Sequence, residues 1–358
     1  MILDHYFFNM SLTIKHLNGD ASFLLSFMPI PQIPPSTPQS SSAFTILLDP
    51  WLSGPSKIYH SKFSVSTHKS PPCVTSLREL PEPDVVVISQ NKTDHCHQET
   101  LTQLPRHGGK TVILAEPAAA KMIRGWKYFA EEKVVTLPKW DDSRLCKPPI
   151  VHRIPIQPLG PGGIMGEVTI TYLPQKADIT GLHSAIGITY RAPTASFDSS
   201  LPPTPPASPT ASTHACDRAL SVIFSPHGCS YKTLSPYIAS HLISEAALPL
   251  TALLHCFDRI ENPWYLGGNI CAGFPGGLEI AQKLCAKAWI SAHDGDKETT
   301  GLATTKLTVE RYDREKVESV ISPRSEKFPD IRTGTEAVVL KAGEEIALSY
   351  SMDFGSDE

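Results

Sequence analysis

Asp84-Val-Val-Val-Ile-Ser-Gln-Asn-Lys-Thr-Asp-His-Cys-His97 is the stretch on which the fold turns. Val85 to Ile88 is an unbroken apolar run with the length and β-branched character of a buried strand. It stops at Ser89 and gives way to a polar loop carrying Gln90, Lys92, Asp94, His95 and His97. A helix-like segment, Glu99 to Leu104, follows. Ionisable groups at the end of a buried strand sit on a rigid support, so the pattern points to a functional loop.

Outward from this stretch the chain alternates strand and helix patterns. Ser11 to Lys15 turns Leu12 and Ile14 to one face, and Ser22 to Phe27 and Phe44 to Leu48 extend as further strands. Leu48-Asp-Pro-Trp-Leu-Ser-Gly54 ends the last of these in a turn. Thr111 to Leu114 is a strand, and Pro117 to Phe129 is a helix opened by Pro and three Ala. Glu167 to Tyr172, Ala185 to Tyr190 and Ala219 to Phe224 are strands. Glu279 to Ala288 is an amphipathic helix running into a strand, Ala288 to Ala292. Thr335 to Leu340 and Glu345 to Tyr350 are expected to close the fold as a hairpin around Ala342-Gly343. Two Pro/Ser-rich stretches, about 29–43 and 193–215, lack the apolar residues needed to pack and are expected to be disordered inserts.

The expected class is therefore α/β (α+β): two mixed sheets face to face, helices outside, in one domain over 11–352. At 358 residues, 41% hydrophobic and 19% charged, the chain can bury a sizeable core. Net charge is −4 with no basic tract, which excludes nucleic acid as an expected partner. Eight scattered cysteines form no C-x-x-C pair and are read as reduced thiols. Met1 to Phe8 lacks a basic leader and no apolar stretch is long enough to span a membrane, so a cytoplasmic location is expected.

Four loops that follow apolar strands hold ionisable groups: Gln90 to His97, Leu173 to Asp178, Phe224 to Cys229 and Ile290 to Lys297. Cys96 and Cys229 lie within two of them and are read as structural, with a redox or ligand role as the alternative. Pro263 to Asn269 and Gly273 to Gly277 are glycine-rich but match no phosphate loop. They are read as turns lining a pocket, with Trp264 and Tyr265 as apolar walls and His255 facing the same cavity.

The strand-loop frame resembles the metallo-β-lactamase superfamily, an αββα sandwich whose loop after such a strand is His-x-His-x-Asp-His. Here Asp94 and His95 stand, while Gln90 and Lys92 occupy the first two histidine positions. The resemblance extends to the UlaG-like branch, with its lactone hydrolases and N-acyl-phosphatidylethanolamine phospholipases, over nearly the whole chain apart from the inserts. Gly19-Asp-Ala-Ser-Phe is similar to that branch's Gly-His-Ala-Ser-Phe, with Asp20 for His. Pro174-Gln-Lys176 stands where the branch has Pro-Ala-Gln-His, Phe224-Ser-Pro-His227 where it has Phe-Ser-Gly-Asp, and Ala292-His293 where it has its last metal-binding His.

The resemblance implies a lopsided site. The first metal's positions are Gln90, Lys92 and Lys176, and ammonium groups do not ligate a cation. The second metal's positions are Asp94, His95, His227 and His293, a donor set suited to one divalent ion: Zn²⁺ first, with Mn²⁺, Fe²⁺ or Ni²⁺ also possible. The implied function is a hydrolase acting on an ester, lactone or amide of a small organic substrate. Lys92 and Lys176 would fix an anionic group or act in catalysis, Asp294 (or Asp296) would orient His293 or neutralise Lys297, and His183 is a reserve ligand. Gln90, His183, Trp264 and Tyr265 complete the candidate substrate site.

Plainer readings stand beside these. Asp94 could pair with Lys92 or Lys176 without a metal, or cap the following helix. His227 could simply follow Pro226 in a turn. Loss of the two-metal bridge also suits a lyase, isomerase or cyclase, and a catalytically inactive scaffold is the alternative from another class. Homo-oligomerisation is left open.

Overall fold

Period-two alternation decides which face each early strand buries. In the computed structural model, which describes residues 10–29, 43–140, 150–194, 218–323 and 334–349, the strand Ser11–His16 buries Leu12, Ile14 and His16 and leaves Ser11, Thr13 and Lys15 partly exposed. Strands buried on both faces are continuous apolar runs instead, as in Val85–Ile88 and Leu220–Ser225.

The strands form two seven-stranded mixed sheets. The first runs, in spatial order, Glu345–Ser349, Ser11–His16, Phe23–Met28, Phe44–Leu48, Val85–Ile88, Val112–Ala115 and Val134–Thr136. The second runs Glu336–Val338, Ala288–Ser291, Ala252–His255, Leu220–Ser225, Ser184–Arg191, Gly166–Pro174 and His152–Ile156. Each sheet has an antiparallel half and a parallel half. Phe23, Phe27 and Ile46 of the first sheet interleave with Tyr190, Val222 and Phe224 of the second in one buried cluster. A second cluster lies beneath the helices Tyr231–Tyr237, Gly273–Lys283 and Arg314–Ile321, and a third beneath Gln98–Leu101 and Pro117–Gly125. The architecture is an α+β sandwich of metallo-β-lactamase fold. Two three-stranded sheets flank it: Asn269–Ala272, Arg259–Glu261 and Thr308–Glu310, and Lys297–Thr300, Ser64–His68 and Ser56–Ile58. Among the described residues no helix is long and apolar enough to cross a membrane.

Three local expectations are corrected. The helix from Pro117 ends at Gly125 rather than Phe129, because Lys127 enters the left-handed region at φ 53° and turns the chain. Gly273 to Gly277, expected as a turn, is the first part of the helix Gly273–Lys283. Its glycines serve packing: a Cβ on Gly277 would lie 2.3 Å from the Trp289 ring. The closing hairpin does not form, because Glu336–Val338 pairs with Ala288–Ser291 in one sheet and Glu345–Ser349 pairs with Ser11–His16 in the other. Alternation identifies a strand but not its partner. Most of the two Pro/Ser-rich inserts, and the end of the expected domain at 352, lie outside the described residues.

Every parallel strand of interest ends at the same edge of the sandwich, which brings the loops after Val85–Ile88, Leu220–Ser225 and Ala288–Ser291 together. Phe224, fully buried and edge-on to Phe23 at a centroid separation of 6.4 Å, ties the sheets immediately below that edge. Phe224→Ala should cost about 3–5 kcal/mol, read as a lowered urea midpoint with unchanged slope.

Candidate metal centre

His95 is carried by a loop that folds back on itself: the His95 and Cys96 amides both donate to Lys92 O, at 2.9 and 2.7 Å. His227 follows Leu220–Ser225 through a turn closed by Gly228 N–H to Ser225 O at 2.9 Å. Only glycine fits at 228, where φ is +79° and a Cβ would lie 2.7 Å from His255 Nε2. His293 follows Ala288–Ser291, with φ 69° and its amide donating to Asp20 O at 2.7 Å. Ring nitrogens of His95, His227 and His293 lie within 4.8 Å of one another, and all three residues are buried. No other group of three or more His, Cys, Asp or Glu meets this condition among the described residues.

The outer nitrogens of these rings define the inner ones. His95 Nδ1 is 2.7 Å from Asp49 Oδ2, His227 Nδ1 is 2.9 Å from Ile270 O, and His293 Nδ1 is 3.1 Å from Asp20 Oδ2. Each acceptor calls for a proton on Nδ1, leaving a lone pair on each Nε2. His95 Nε2 and His227 Nε2 nevertheless face each other at 3.1 Å. Two lone pairs at that distance repel unless a cation, either a proton or a metal ion, lies between them. Asp94 Oδ2 lies 4.0 Å from His95 Nε2 and 3.9 Å from His293 Nε2, and Asp94 Oδ1 is buried with no hydrogen-bond partner. Ligands bound tetrahedrally at 2.0–2.1 Å stand ~3.3 Å apart, so this donor set fits a metal ion with small adjustments.

Electrostatics agree. Burial pushes the Asp94 carboxyl up, but neighbouring His95 and His293 outweigh it and the net shift is downward, keeping a carboxylate. Burial lowers His227 to about 4, with His293 adding to the effect. His293 is lowered chiefly by burial. His95 goes the other way: burial disfavours its cation, but the Asp94 and Asp49 carboxylates raise it. Of the three imidazoles, His95 thus binds a proton most readily.

The remaining predicted residues are spread more widely. Gln90 is buried, its Nε2 donating to Leu182 O at 2.8 Å and its Oε1 left without a partner. Lys92 is half-buried and reaches Tyr59, Nζ to OH at 3.5 Å, rather than Asp94. Lys176 is exposed. Asp94 does not cap the next helix, which is capped by His97 accepting from Thr100 N–H. His183 is fastened between Gly228 O at 2.9 Å and Asn269 O at 3.1 Å, outside the triad. Asp294 does not orient His293, because its oxygens accept from the Phe257 and Asp258 amides and the Ser291 hydroxyl. Asp296 pairs with Lys69 at 3.2 Å on the surface. Trp264 and Tyr265, expected as pocket walls, are 88% and 56% exposed on a single 3-10 turn, Trp264–Leu266. His255 is buried with Nε2 unpartnered.

Four supporting residues were not assigned from sequence: Asp49, Asp20 as a carboxylate partner, Lys297 and Cys271. Asp49 accepts from Ser89 N–H at 2.7 Å and from the Ser89 hydroxyl while holding His95. Asp20 collects His293 Nδ1, Gly295 N–H and Lys297 Nζ, the last at 2.9 and 3.0 Å. Burial disfavours the Asp20 anion, yet His293 and Lys297 hold it well below the usual carboxylate range. Cys271 Sγ lies 3.6 Å from His227 Nδ1. The sequence cues were slight: Asp49 follows a strand and precedes Pro50, and Asp20 lies in a turn after Gly19, where the resembled branch has His.

Comparison with known proteins agrees with the fold. Residues 39–155 match the family described as the β-lactamase superfamily domain. The isothiocyanate hydrolase from Delia radicum gut bacteria superposes with a TM-score of 0.51 at 14% identity, covering 94% of this chain and 100% of that one. Igni18, a metallo hydrolase from the hyperthermophilic archaeon Ignicoccus hospitalis, gives 0.45 at 12% identity, covering 95% and 100%. No curated protein matches the sequence.

Metal binding competes with protonation of His95. Because that group is raised, apparent affinity should fall on acidification from a higher pH than an ordinary histidine would impose, by about tenfold per pH unit, and level off above its pKa. Titrations across a pH series would check this. Asp49→Asn removes the carboxylate that fixes His95 and should weaken metal binding by about 10–100-fold in a chelator competition.

Proposed function

We propose that this protein is a metal-dependent hydrolase with one divalent ion held by Asp94, His95, His227 and His293, acting on an ester, lactone or amide of a small organic substrate. The observation that carries the reading is the pair of Nε2 lone pairs facing each other at 3.1 Å beside an unpartnered carboxylate oxygen. Charge supports a cation: the acidic side chains Asp20, Asp49 and Asp94 are buried about the centre, with Lys297 the one ammonium bound to them among the described residues. Three imidazoles and a carboxylate favour Zn²⁺, with Mn²⁺, Fe²⁺ and Ni²⁺ compatible.

A bound ion supplies Lewis acidity, polarising a carbonyl and making water more acidic. The chain supplies the rest. Asp49, Ile270 O and Asp20 fix the three ring orientations before substrate arrives. Buried Gln90 Oε1 offers an acceptor for a water or a substrate N–H. Lys92, half-buried in the loop that carries Asp94 and His95, and exposed Lys176 would attract an anionic group, and His183 holds the Gly228 loop.

The test is elemental analysis of protein purified without an affinity-tag metal, for wild type, Asp94→Ala and His227→Ala, with a panel of esters, lactones and amides assayed in parallel. The expectation is about one transition metal per chain in wild type, loss in both variants, and hydrolysis that follows metal content. No metal after reconstitution with Zn²⁺, Mn²⁺ or Fe²⁺ would sink the reading. Two metals would mean that Gln90, Lys92 and Lys176 are wrongly placed outside the ligand set. Metal without hydrolysis would redirect the search to lyase or isomerase chemistry.

A further inference from the structure

Four large apolar side chains that the sandwich leaves in water stand on adjoining turns. Tyr59, Trp264, Tyr265 and Leu302 are 82%, 88%, 56% and 60% exposed. They belong to the two small flanking sheets: the turn between Ser56–Ile58 and Ser64–His68, the 3-10 turn Trp264–Leu266 and the 3-10 turn Leu302–Thr304. Hydrogen bonds fasten these turns to one another. Leu302 N–H donates to Lys62 O and Ala303 N–H to Phe63 O, both at 2.9 Å, and Asn262 Nδ2 donates to Ala303 O at 2.9 Å. The Tyr59 ring meets Phe63 edge-on at a centroid separation of 5.4 Å, and Trp264 meets Tyr265 in the same way at 5.8 Å. Exposed apolar residues scattered singly call for no explanation, but a contiguous ridge of them marks a contact surface.

The charge of the ridge indicates its partner. Residues 56–63, 262–268 and 301–307 hold Lys57, Lys62 and Lys306 and no Asp, Glu or Arg, in a chain whose net charge is −4. Lys306 Nζ donates to Tyr265 OH at 3.0 Å, and Lys92, beside the ridge, lies 5.3 Å over the Tyr59 ring. Glu261, next to the second turn, is paired with Arg259 at 2.7 Å. Aromatic tips with lysines are the composition of a bilayer interface, where amphipathic rings settle among headgroups and lysine stems keep their ammonium groups at the anionic surface. Protein interfaces are instead enriched in Arg and depleted in Lys, and their strongest contacts fill enclosed pockets. Projecting turns suit a surface that deforms around them.

We propose that this ridge docks the chain on an anionic lipid bilayer, with Tyr59, Trp264 and Leu302 inserted at headgroup depth and Lys57, Lys62 and Lys306 against the lipid phosphates and carboxylates. The ridge is tied to the loop of Asp94 and His95 by Lys92 and by the hydroxyls of Ser56 and Thr93, 2.7 Å apart. Docking therefore turns that edge of the sandwich toward the lipid, and it needs no metal.

The test uses the full chain and vesicles of phosphatidylcholine with and without phosphatidylserine, read by co-sedimentation and by tryptophan fluorescence. Trp51 and Trp289 are fully buried, whereas Trp264 is in water, so binding should move emission to the blue and brominated acyl chains should quench it. The expected result is binding to the phosphatidylserine vesicles that weakens as salt rises. It should fall about fivefold for each of Lys57→Gln, Lys62→Gln and Lys306→Gln, and about tenfold or more for Trp264→Ala. All four side chains are exposed, and an unchanged urea midpoint shows that each variant is folded. No binding to phosphatidylserine vesicles at low salt overturns the proposal, as does binding that Trp264→Ala and the three lysine variants leave intact. Self-association lost in Trp264→Ala, in place of vesicle binding, assigns the ridge to a second copy of this chain and overturns it equally.

Discussion

Two imidazole Nε2 atoms held 3.1 Å apart in a buried space are the constraint around which this edge of the sandwich is built. Neither ring can turn away without giving up its outer bond, His95 to Asp49 and His227 to Ile270 O. Those outer partners are themselves fixed, Asp49 by Ser89 and Ile270 by its strand. The repulsion is thus held by the fold rather than relieved by it, and a cation relieves it from within.

The sandwich makes this possible because its parallel strands end at one edge. A loop after a parallel strand begins where the neighbouring loops begin, so residues far apart in sequence start from nearly the same place. Antiparallel strands would have put half of these loops at the far end. The antiparallel halves of both sheets instead contribute packing, and one hairpin at their margin contributes Asp20.

Elements defined by their own residues were legible in the sequence. Phe44 to Leu48 and Val85 to Ile88 follow from local apolar pattern alone, and the loop after the latter declares its chemistry. What stayed hidden depends on contacts between distant residues. Asp294 adjoins His293 in sequence and looked like its orienting carboxylate, yet the residue that does this is Asp20, 273 positions away. Glycines at 273 and 277 looked like turn formers because their reason, the closeness of Trp289 and Arg259, is tertiary. The strand Ala252–His255 sits in the middle of the second sheet, but its four residues give too short a pattern to separate from a buried helical turn.

The span of the centre along the chain has a consequence for biosynthesis. Asp20 and Asp49 lie near the start, Asp94 and His95 in the first third, and His227, His293 and Lys297 well beyond the middle. A nascent chain that has emerged only as far as residue 200 carries the acidic half of the centre and a single one of its three imidazoles. It offers a metal ion little that an unfolded peptide does not. A metal ion held there would therefore be taken up only once the last strands have docked, and a truncated product would stay without one.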